Sequence, residues 1–424
     1  MAYEVALSTY GAIWQLALPF VRARLRRRMR ADPLYVAHAP ERFAEQLPAG
    51  PFDVWMHAVS VGETRAAEPL IQRWLKERPD VRILLTHMTP TGRSTGRELF
   101  GDRITQCYLP YDHPRLARAF VERTQPRVAI ILETELWPQV IACAAARKIP
   151  LWLVNARLSQ KSALGYARWA SLTRATLQRF TGILAQAPLD GQRFSALGAR
   201  AVHVTGNLKF DCPVPTTHMD SISALRARLG EHAYWVAGST REGEEARLLT
   251  ALQNHPLRTR LRALIVPRHP QRFDEVFSLA QSLGFRVGRR SAMQAHDPVE
   301  VVIGDSMGEM FAYYGVARVA FMGGSLATGS QNLIEPCAVG IPVVLGPSIF
   351  NFEAAAQAAL AHGAAVQVAD ETQALDELLR IATQPQEQAR MATQATAFCA
   401  ANRGAIERTW RFLVQSTASH DYAK

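Results

Sequence analysis

A glutamate, Glu63, stands just beyond the apolar run that starts at Phe52, behind the small-residue turn Ser60-Val61-Gly62 and ahead of a segment with helical periodicity. Glycine permits a tight turn at that point. A carboxylate at the start of a helix is stabilised by the helix dipole, which lowers its pKa. Two uses fit: a solvated helix-start charge, or a general base held over a substrate. A base positioned to take a substrate's proton in the transition state contributes about 10²–10⁴-fold. Ligands of open parallel sheets bind outside the carboxyl ends of strands, and Glu63 follows what reads as a strand.

Other chemistry-bearing residues fall at the same kind of place. The loop Thr86–Gly96 (THMTPTGRSTG) offers Thr91, two glycines and Arg93, the composition of an anion- or sugar-binding loop, though Thr/Gly loops are common. LETELWP carries Glu133 and Glu135, two apart at a strand end and so expected on one face, for sugar hydroxyls or for an ion pair with an arginine. VNARLSQKS and TGNLKFD bring Arg157, Lys161, Asn207 and Lys209 to the same edge, Lys209 either reaching a ligand cleft or lying solvated. Further on, VAGSTREGEE sets Gly238, Ser239 and Thr240 between a strand and a helix, where backbone N–H groups at a positive helix end suit a phosphate. The G-x-x-x-x-G-K-[ST] spacing of a P-loop is absent. VPRHPQRF places Arg268 and His269 at another strand end, and IGDSMGEM adds a turn with Met307, Gly308 and Glu309. FMGGS is one more glycine-rich turn. In GSQNLIEP, Asn332 and Glu335 are three apart, on one helical face, where a carboxylate can accept from both hydroxyls of a ribose.

The elements that must position these residues read as an α/β chain. Short β-rich runs alternate with helical stretches such as Thr64–Arg78, Pro114–Arg123 and Leu136–Arg147, the pattern of a parallel sheet covered on both faces. The proline-bearing DCPVPTTHMDS interrupts the alternation, which then restarts. The expected organisation is a basic helix over 1–30, one doubly wound domain over 31–211, a linker over 212–221 and a second domain over 222–424. The last helix is free to dock on either half.

Composition narrows the class. The 424 residues carry 48 Lys+Arg against 37 Asp+Glu, a formal net charge of +11 that favours an anionic partner. Five scattered cysteines without a C-x-x-C pair argue for a reducing compartment and against a cysteine zinc site, and no H-E-x-x-H spacing occurs. No metal and no cofactor are expected. A nucleic-acid binder would interleave basic patches with aromatics, whereas six arginines cluster between Arg22 and Arg30, directly behind the impure apolar run Val5–Val21. Their order is the reverse of a signal peptide. Three uses of this segment remain: a spanning helix, an interfacial helix on anionic lipid, or a surface helix packed on its own domain. The short, impure run fits the interfacial one best.

The motifs HAVSVGE, LETELWP, NARLS, TGNLKFD, AGSTREGEE, PRHPQRF, DSMGEM and NLIEP, in this order, resemble bacterial 3-deoxy-D-manno-octulosonic acid (Kdo) transferases over about residues 20–400. The resemblance implies a GT-B glycosyltransferase: two Rossmann-like domains facing across a cleft, with a membrane-associated N-terminal helix. It implies transfer of Kdo from CMP-Kdo to the lipid A precursor, inverting and metal-independent, on anionic lipids at the cytoplasmic face of the inner membrane. By that resemblance Glu63 is the general base. The donor is held by Ser239 and Thr240 with Gly238, by Arg268 and His269, by Met307, Gly308 and Glu309, and by Asn332 and Glu335, with Lys209 helping. Ser60, Gly62, Thr91, Arg93, Glu133 and Arg157 are the expected acceptor contacts. One position departs: the family's Gly-Gly-His-Asn is Gly329-Ser330-Gln331-Asn332 here, and a glutamine cannot carry an imidazolium charge. Two rivals remain, a GT-B enzyme using another nucleotide sugar such as a UDP-sugar, and a non-catalytic membrane-docked binding protein.

Overall fold

The apolar runs of the first half become seven strands: β1 (Phe52–His57), β2 (Ile83–His87), β3 (Thr105–Tyr108), β4 (Pro126–Leu132), β5 (Leu151–Ala156), β6 (Gly182–Ala185) and β7 (Val202–Val204). They form one parallel sheet in the order β3-β2-β1-β4-β5-β6-β7. The computed structural model describes residues 2–212, 214, 217–230, 232–294 and 297–421. The chain divides into two units, Met1–Cys212 with Gly404–Lys424, and Pro213–Arg403.

Burial on both faces explains why these strands read as continuous apolar runs. Trp55, Ala129, Ile131 and Leu153 pack on one side with Phe120 and Val140, while Val54, Met56, Ile130 and Leu132 pack on the other with Leu70, Ile71 and Trp74. The strand order reverses between β1 and β4, so the loops after these two neighbours diverge and leave a crevice at the carboxyl edge. Into that crevice the chain delivers the residues after His57 and after Leu132.

Four helices frame the edge: α1 (Ala2–Ala31), α2 (Val61–Glu77), α3 (Pro90–Phe100) and α4 (Pro114–Thr124). The helix α1 rests on this unit. Gln139 Nε2 donates to the Leu7 carbonyl at 2.9 Å, and at Gly11 an added Cβ would lie 2.8 Å from Pro114. Its other side exposes Val5, Ile13, Leu16 and Phe20. Among the described residues no helix is long and apolar enough to cross a membrane.

The chain's end returns to the first unit. The Asp211 carboxylate accepts from the N–H groups of Gly404 (2.6 Å) and Ile406 (2.7 Å), at the start of the helix Ala405–Asp421, where a negative charge is favoured. Trp410 then packs on Trp74 with ring centroids 4.8 Å apart, and Glu407 pairs with Arg73 at 2.9 Å. The second unit therefore stops at Arg403 rather than at 424. The stretch read as a linker needs a second correction: a helix begins at Thr217, and buried Ile222 and Leu225 show why it is held. Of that stretch, residues 213, 215 and 216 lie outside the described residues.

The second unit repeats the architecture with β8 (Tyr234–Thr240), β9 (Arg262–Pro267), β10 (Val287–Arg289), β11 (Val301–Ile303), β12 (Ala317–Met322), β13 (Val343–Leu345) and β14 (Ala365–Gln367). Their parallel order is β10-β11-β9-β8-β12-β13-β14, so this sheet reverses between β8 and β12.

Candidate active site

In the first unit the crevice gathers three carboxylates. Ser60 is the N-cap of α2, and Glu63 is the third residue of its first turn. The Glu63 carboxylate accepts from the Val59 N–H at 2.8 Å and from Ser60 Oγ at 3.1 Å. This Ser-x-x-Glu arrangement is a capping box shifted back by one residue, a signal available in the sequence. A capping carboxylate is ordinarily solvated and ionised. Glu63 is 9% exposed and, among the described residues, has no cation within ion-pair distance. Burial pushes its carboxyl up to about 8, and Glu133 and Glu135 add to the rise against the two hydrogen bonds. The expected lowering by the helix terminus is thus overturned, because desolvation beside two further acids outweighs the dipole.

Glu133 follows β4 with φ of 59°, a left-handed conformation rare for a residue with a side chain. Period-two alternation therefore does not apply to Glu133 and Glu135. Both still bear on Glu63. Lys209 Nζ lies 2.7 Å from Glu133 Oε1. Burial alone would raise Glu133, but Lys209 and Arg157 outweigh it and hold the carboxyl below its usual value. Glu135 is pushed up to about 7 by burial and by Glu133. Lys209 is aimed by a chain of local bonds: Asn155 Oδ1 accepts from Leu208 N at 3.0 Å, and Asn207 Oδ1 from Lys209 N at 3.0 Å. The result is one ionised acid locked in an ion pair beside two acids that keep their protons near neutrality.

Two of the expected acceptor contacts sit in local surroundings other than the sequence suggests. Arg93 is committed to Glu41 in an ion pair and stacks over the Tyr108 ring, so it is held within its own unit. Gly62 has no positive φ; it is a helical residue with open space where a Cβ would stand. Thr91 is exposed in the first turn of α3. Ser60 and Arg157 lie in the carboxylate group through Glu63 and Glu133 respectively.

In the second unit Gly238, Ser239 and Thr240 prove to be the end of β8, not a helix start; the next helix opens at Glu244 with Gly243 as its N-cap. The Thr240 hydroxyl is taken by Glu245 at 2.6 Å. Gly238 is required by packing, since a Cβ there would lie 2.2 Å from the Tyr314 hydroxyl. Ser239 bends the strand end with φ of 57°. Glu244, absent from the expected set, ties the two loops of the switch point: it accepts from Gly324 N at 2.5 Å, Leu326 N at 3.0 Å and Arg241 N at 2.9 Å.

Beside this turn lies a knot of cations. Arg241 Nη1 is 2.9 Å from His269 Nε2. The Arg268 guanidinium has no hydrogen-bond partner among the described residues; burial and then Arg241 pull its pKa down, with Glu335 opposing. His269 is lowered by burial and by Arg268, Arg241 and Arg272. Asn332 and Glu335 are joined by a hydrogen bond, Nδ2 to Oε1 at 3.0 Å. Gln331 turns back on the Gly329 carbonyl at 3.3 Å. In the third turn Glu309 is tied to Arg290 at 2.5 Å and to Ser306, so the parts left facing outward are half-exposed Met307 and Gly308, with φ of 81°. Among the described residues no group of three or more His, Cys, Asp or Glu side chains is placed to hold a metal ion.

Solved structures with this fold include UDP-GlcNAc 2-epimerase from Neisseria meningitidis bound to UDP-GlcNAc. Its TM-score is 0.60 at 16% identity, covering 86% of this chain and 100% of the other. That likeness shows the two-sheet GT-B architecture alone. In sequence, residues 24–212 match the family model described as 3-deoxy-D-manno-octulosonic-acid transferase (kdotransferase). The 3-deoxy-D-manno-octulosonic acid transferase of Bordetella pertussis is 42% identical over 401 residues, 91% of this chain and 93% of that one. Its counterpart from Haemophilus influenzae is 36% identical over 311 residues, covering 71% and 72%. The chain belongs to the 3-deoxy-D-manno-octulosonic acid transferase family, the glycosyltransferases that move Kdo in lipopolysaccharide synthesis.

Proposed function

We propose that the chain transfers Kdo from CMP-Kdo to a sugar hydroxyl of the lipid A precursor (lipid IVA), with inversion at the anomeric carbon. The observation that carries this reading is Glu63: a buried carboxyl at the switch point, without a counter-cation among the described residues, raised to about 8 by burial and two neighbouring acids. Such an acid is a strong enough base to take a hydroxyl proton once it ionises, and a lone carboxylate suffices when attack comes from the face opposite the leaving group. Departing CMP gains negative charge on its phosphate, which fixed cations can stabilise. Arg268, Arg241 and His269 are the groups assigned to it, with Asn332 and Glu335 on the ribose and the Met307–Gly308 turn beside them. Lys209 keeps Glu133 ionised and so holds the proton on Glu63 until substrate displaces the balance. The test is product mass after incubation with CMP-Kdo and a tetra-acylated acceptor. A Kdo-sized increment, formed equally in excess EDTA, is the expected outcome; turnover that stops in EDTA and returns with Mg²⁺ would defeat the metal-independent step.

We also assign the protein to the cytoplasmic face of the inner membrane through α1. Leu16 and Phe20 are 76% and 77% exposed, four residues apart, and directly precede the six arginines. An apolar face with a basic collar binds an anionic interface in the plane of the membrane. Replacing Leu16 and Phe20 by glutamate should cut co-sedimentation with anionic vesicles by about tenfold or more, each buried apolar side chain contributing about 1.5–3 kcal/mol. Unchanged co-sedimentation would remove α1 from the docking surface.

A further inference from the structure

Arg42 is 2% exposed, yet its Nε and Nη2 atoms have no hydrogen-bond partner among the described residues. Its guanidinium lies 3.7 Å above the Tyr108 ring and 5.9 Å from the centre of the Tyr35 ring. A second guanidinium, Arg28 of α1, lies 5.6 Å from the centre of the same Tyr35 ring. The adjacent carboxylate is not free to neutralise them: Glu41 is committed to Arg93, to the Tyr108 N–H at 2.8 Å and to His38 at 3.4 Å. Tyr111, whose N–H donates to the Arg42 carbonyl at 3.1 Å, has a phenol on which Arg42, Arg28 and Arg24 all bear, each offsetting the rise that burial imposes. Two or three guanidiniums gathered without an anion repel one another, and a buried unpaired cation is costly. Arginine's planar fork matches the oxygens of a phosphate.

We propose that Arg24, Arg28, Arg42 and Tyr111 form a binding site for a phosphate group carried by an anionic lipid. Exposed Leu34 and Val36 flank Tyr35 and suit an acyl-bearing ligand better than a soluble ion. The site lies after β3, two places from β1 in the sheet. At about 4.8 Å per strand that is roughly 10 Å from the strand end that delivers Glu63, close to the span of a disaccharide. A phosphate on the acceptor's sugar headgroup would thus anchor it while a distant hydroxyl meets Glu63. This rests on the lipid-acceptor reading above; a headgroup phosphate of a membrane phospholipid is the other source of the same chemistry.

The experiment uses the full chain and the double variant Arg24→Gln/Arg28→Gln, both surface positions on α1, with Arg42→Met as a second variant. In detergent, kcat/KM is compared for the tetra-acylated acceptor before and after phosphatase treatment. The wild type should prefer the phosphorylated acceptor by about tenfold or more, and the double variant should lose most of that preference, as expected for charged hydrogen bonds. In the second arm, co-sedimentation is measured with phosphatidylcholine vesicles with and without phosphatidic acid. Loss confined to this arm and shared by Arg42→Met, which leaves the basic collar of α1 intact, assigns the site to a headgroup phosphate; loss in the first assigns it to the acceptor. Loss confined to this arm and to the α1 variant reports the collar alone and overturns the proposal. Variants that match the wild type in both arms overturn the proposal. A wild type that transfers no Kdo overturns the reading beneath it instead, and the vesicle arm still reports on the site.

Discussion

Glu63→Gln abolishes Kdo transfer, lowering kcat by about 10²–10⁴-fold, while CMP-Kdo still binds within about twofold. The substitution isolates proton transfer because the amide keeps the local structure. Gln is also accepted at the third position of a capping box, its oxygen can still accept from Val59 N, and no ion pair is broken. The same variant separates the catalytic from the capping role by its pH behaviour. In the wild type the base must ionise, so kcat should rise with pH and level off above about 8. Stability runs the other way. Between the ordinary value of 4.5 and about 8 the folded chain holds a proton that the unfolded chain has lost, so stability falls as pH rises through that window. Glutamine carries no such proton. The variant should therefore melt higher than the wild type, by a margin that grows from about pH 5 to about pH 9, at about 2–4 °C for each kcal/mol recovered. A purely capping Glu63 would show the opposite: activity kept within a few-fold and a melting temperature lowered at every pH.

Much of this site is legible in the sequence, for a physical reason. Continuous apolar runs between helical stretches force parallel strands, and each parallel sheet puts its ligand-binding loops at its own carboxyl edge, so Glu63, Glu133 and Lys209 in the first unit, and Arg268 and Asn332 in the second, are candidates picked out by position alone. The errors share a cause as well: each depends on a partner remote in sequence. Nothing near Glu63 announces that β4 lies beside β1 and brings Glu133 and Glu135 against it, so the helix dipole looked decisive when desolvation was. Arg93 reads as a free anion ligand because its partner, Glu41, lies 52 residues earlier in a segment without a motif. Arg42 shows no signal either; only the fold reveals a guanidinium lacking a carboxylate. Thr240 is the local exception. Its partner, Glu245, is only five residues on, yet Gly238-Ser239-Thr240 read as a helix start because the short Arg-Glu-Gly turn that follows separates the strand end from the helix at Glu244.

Arg268→Gln weakens CMP binding by about 10–100-fold and raises the melting temperature of the unliganded protein. Both effects follow from one feature, a half-buried guanidinium with no hydrogen-bond partner among the described residues, placed against Arg241. Truncating a cation whose burial and Arg241 neighbour outweigh the pull of Glu335 relieves desolvation and repulsion in the free protein. In the complex it leaves a phosphate short of charge-assisted bonds, each contributing about 1.5–3 kcal/mol. The identity of the missing contact is checked with ligands rather than with further variants. Wild type should bind CMP far more tightly than cytidine, and the variant should bind the two nearly alike, because only the phosphate meets Arg268. UDP and GDP, offered to the wild type, should stabilise it less than CMP does. Stabilisation by UDP equal to or above that by CMP would favour the UDP-sugar alternative, and an Arg268 variant that keeps its preference for CMP over cytidine would move the phosphate away from the cation knot. Glu335 sharpens the assignment: its carboxylate favours the charged form of Arg268 and accepts from Asn332, so Glu335→Gln should reduce affinity for CMP and cytidine alike, the signature of a ribose contact.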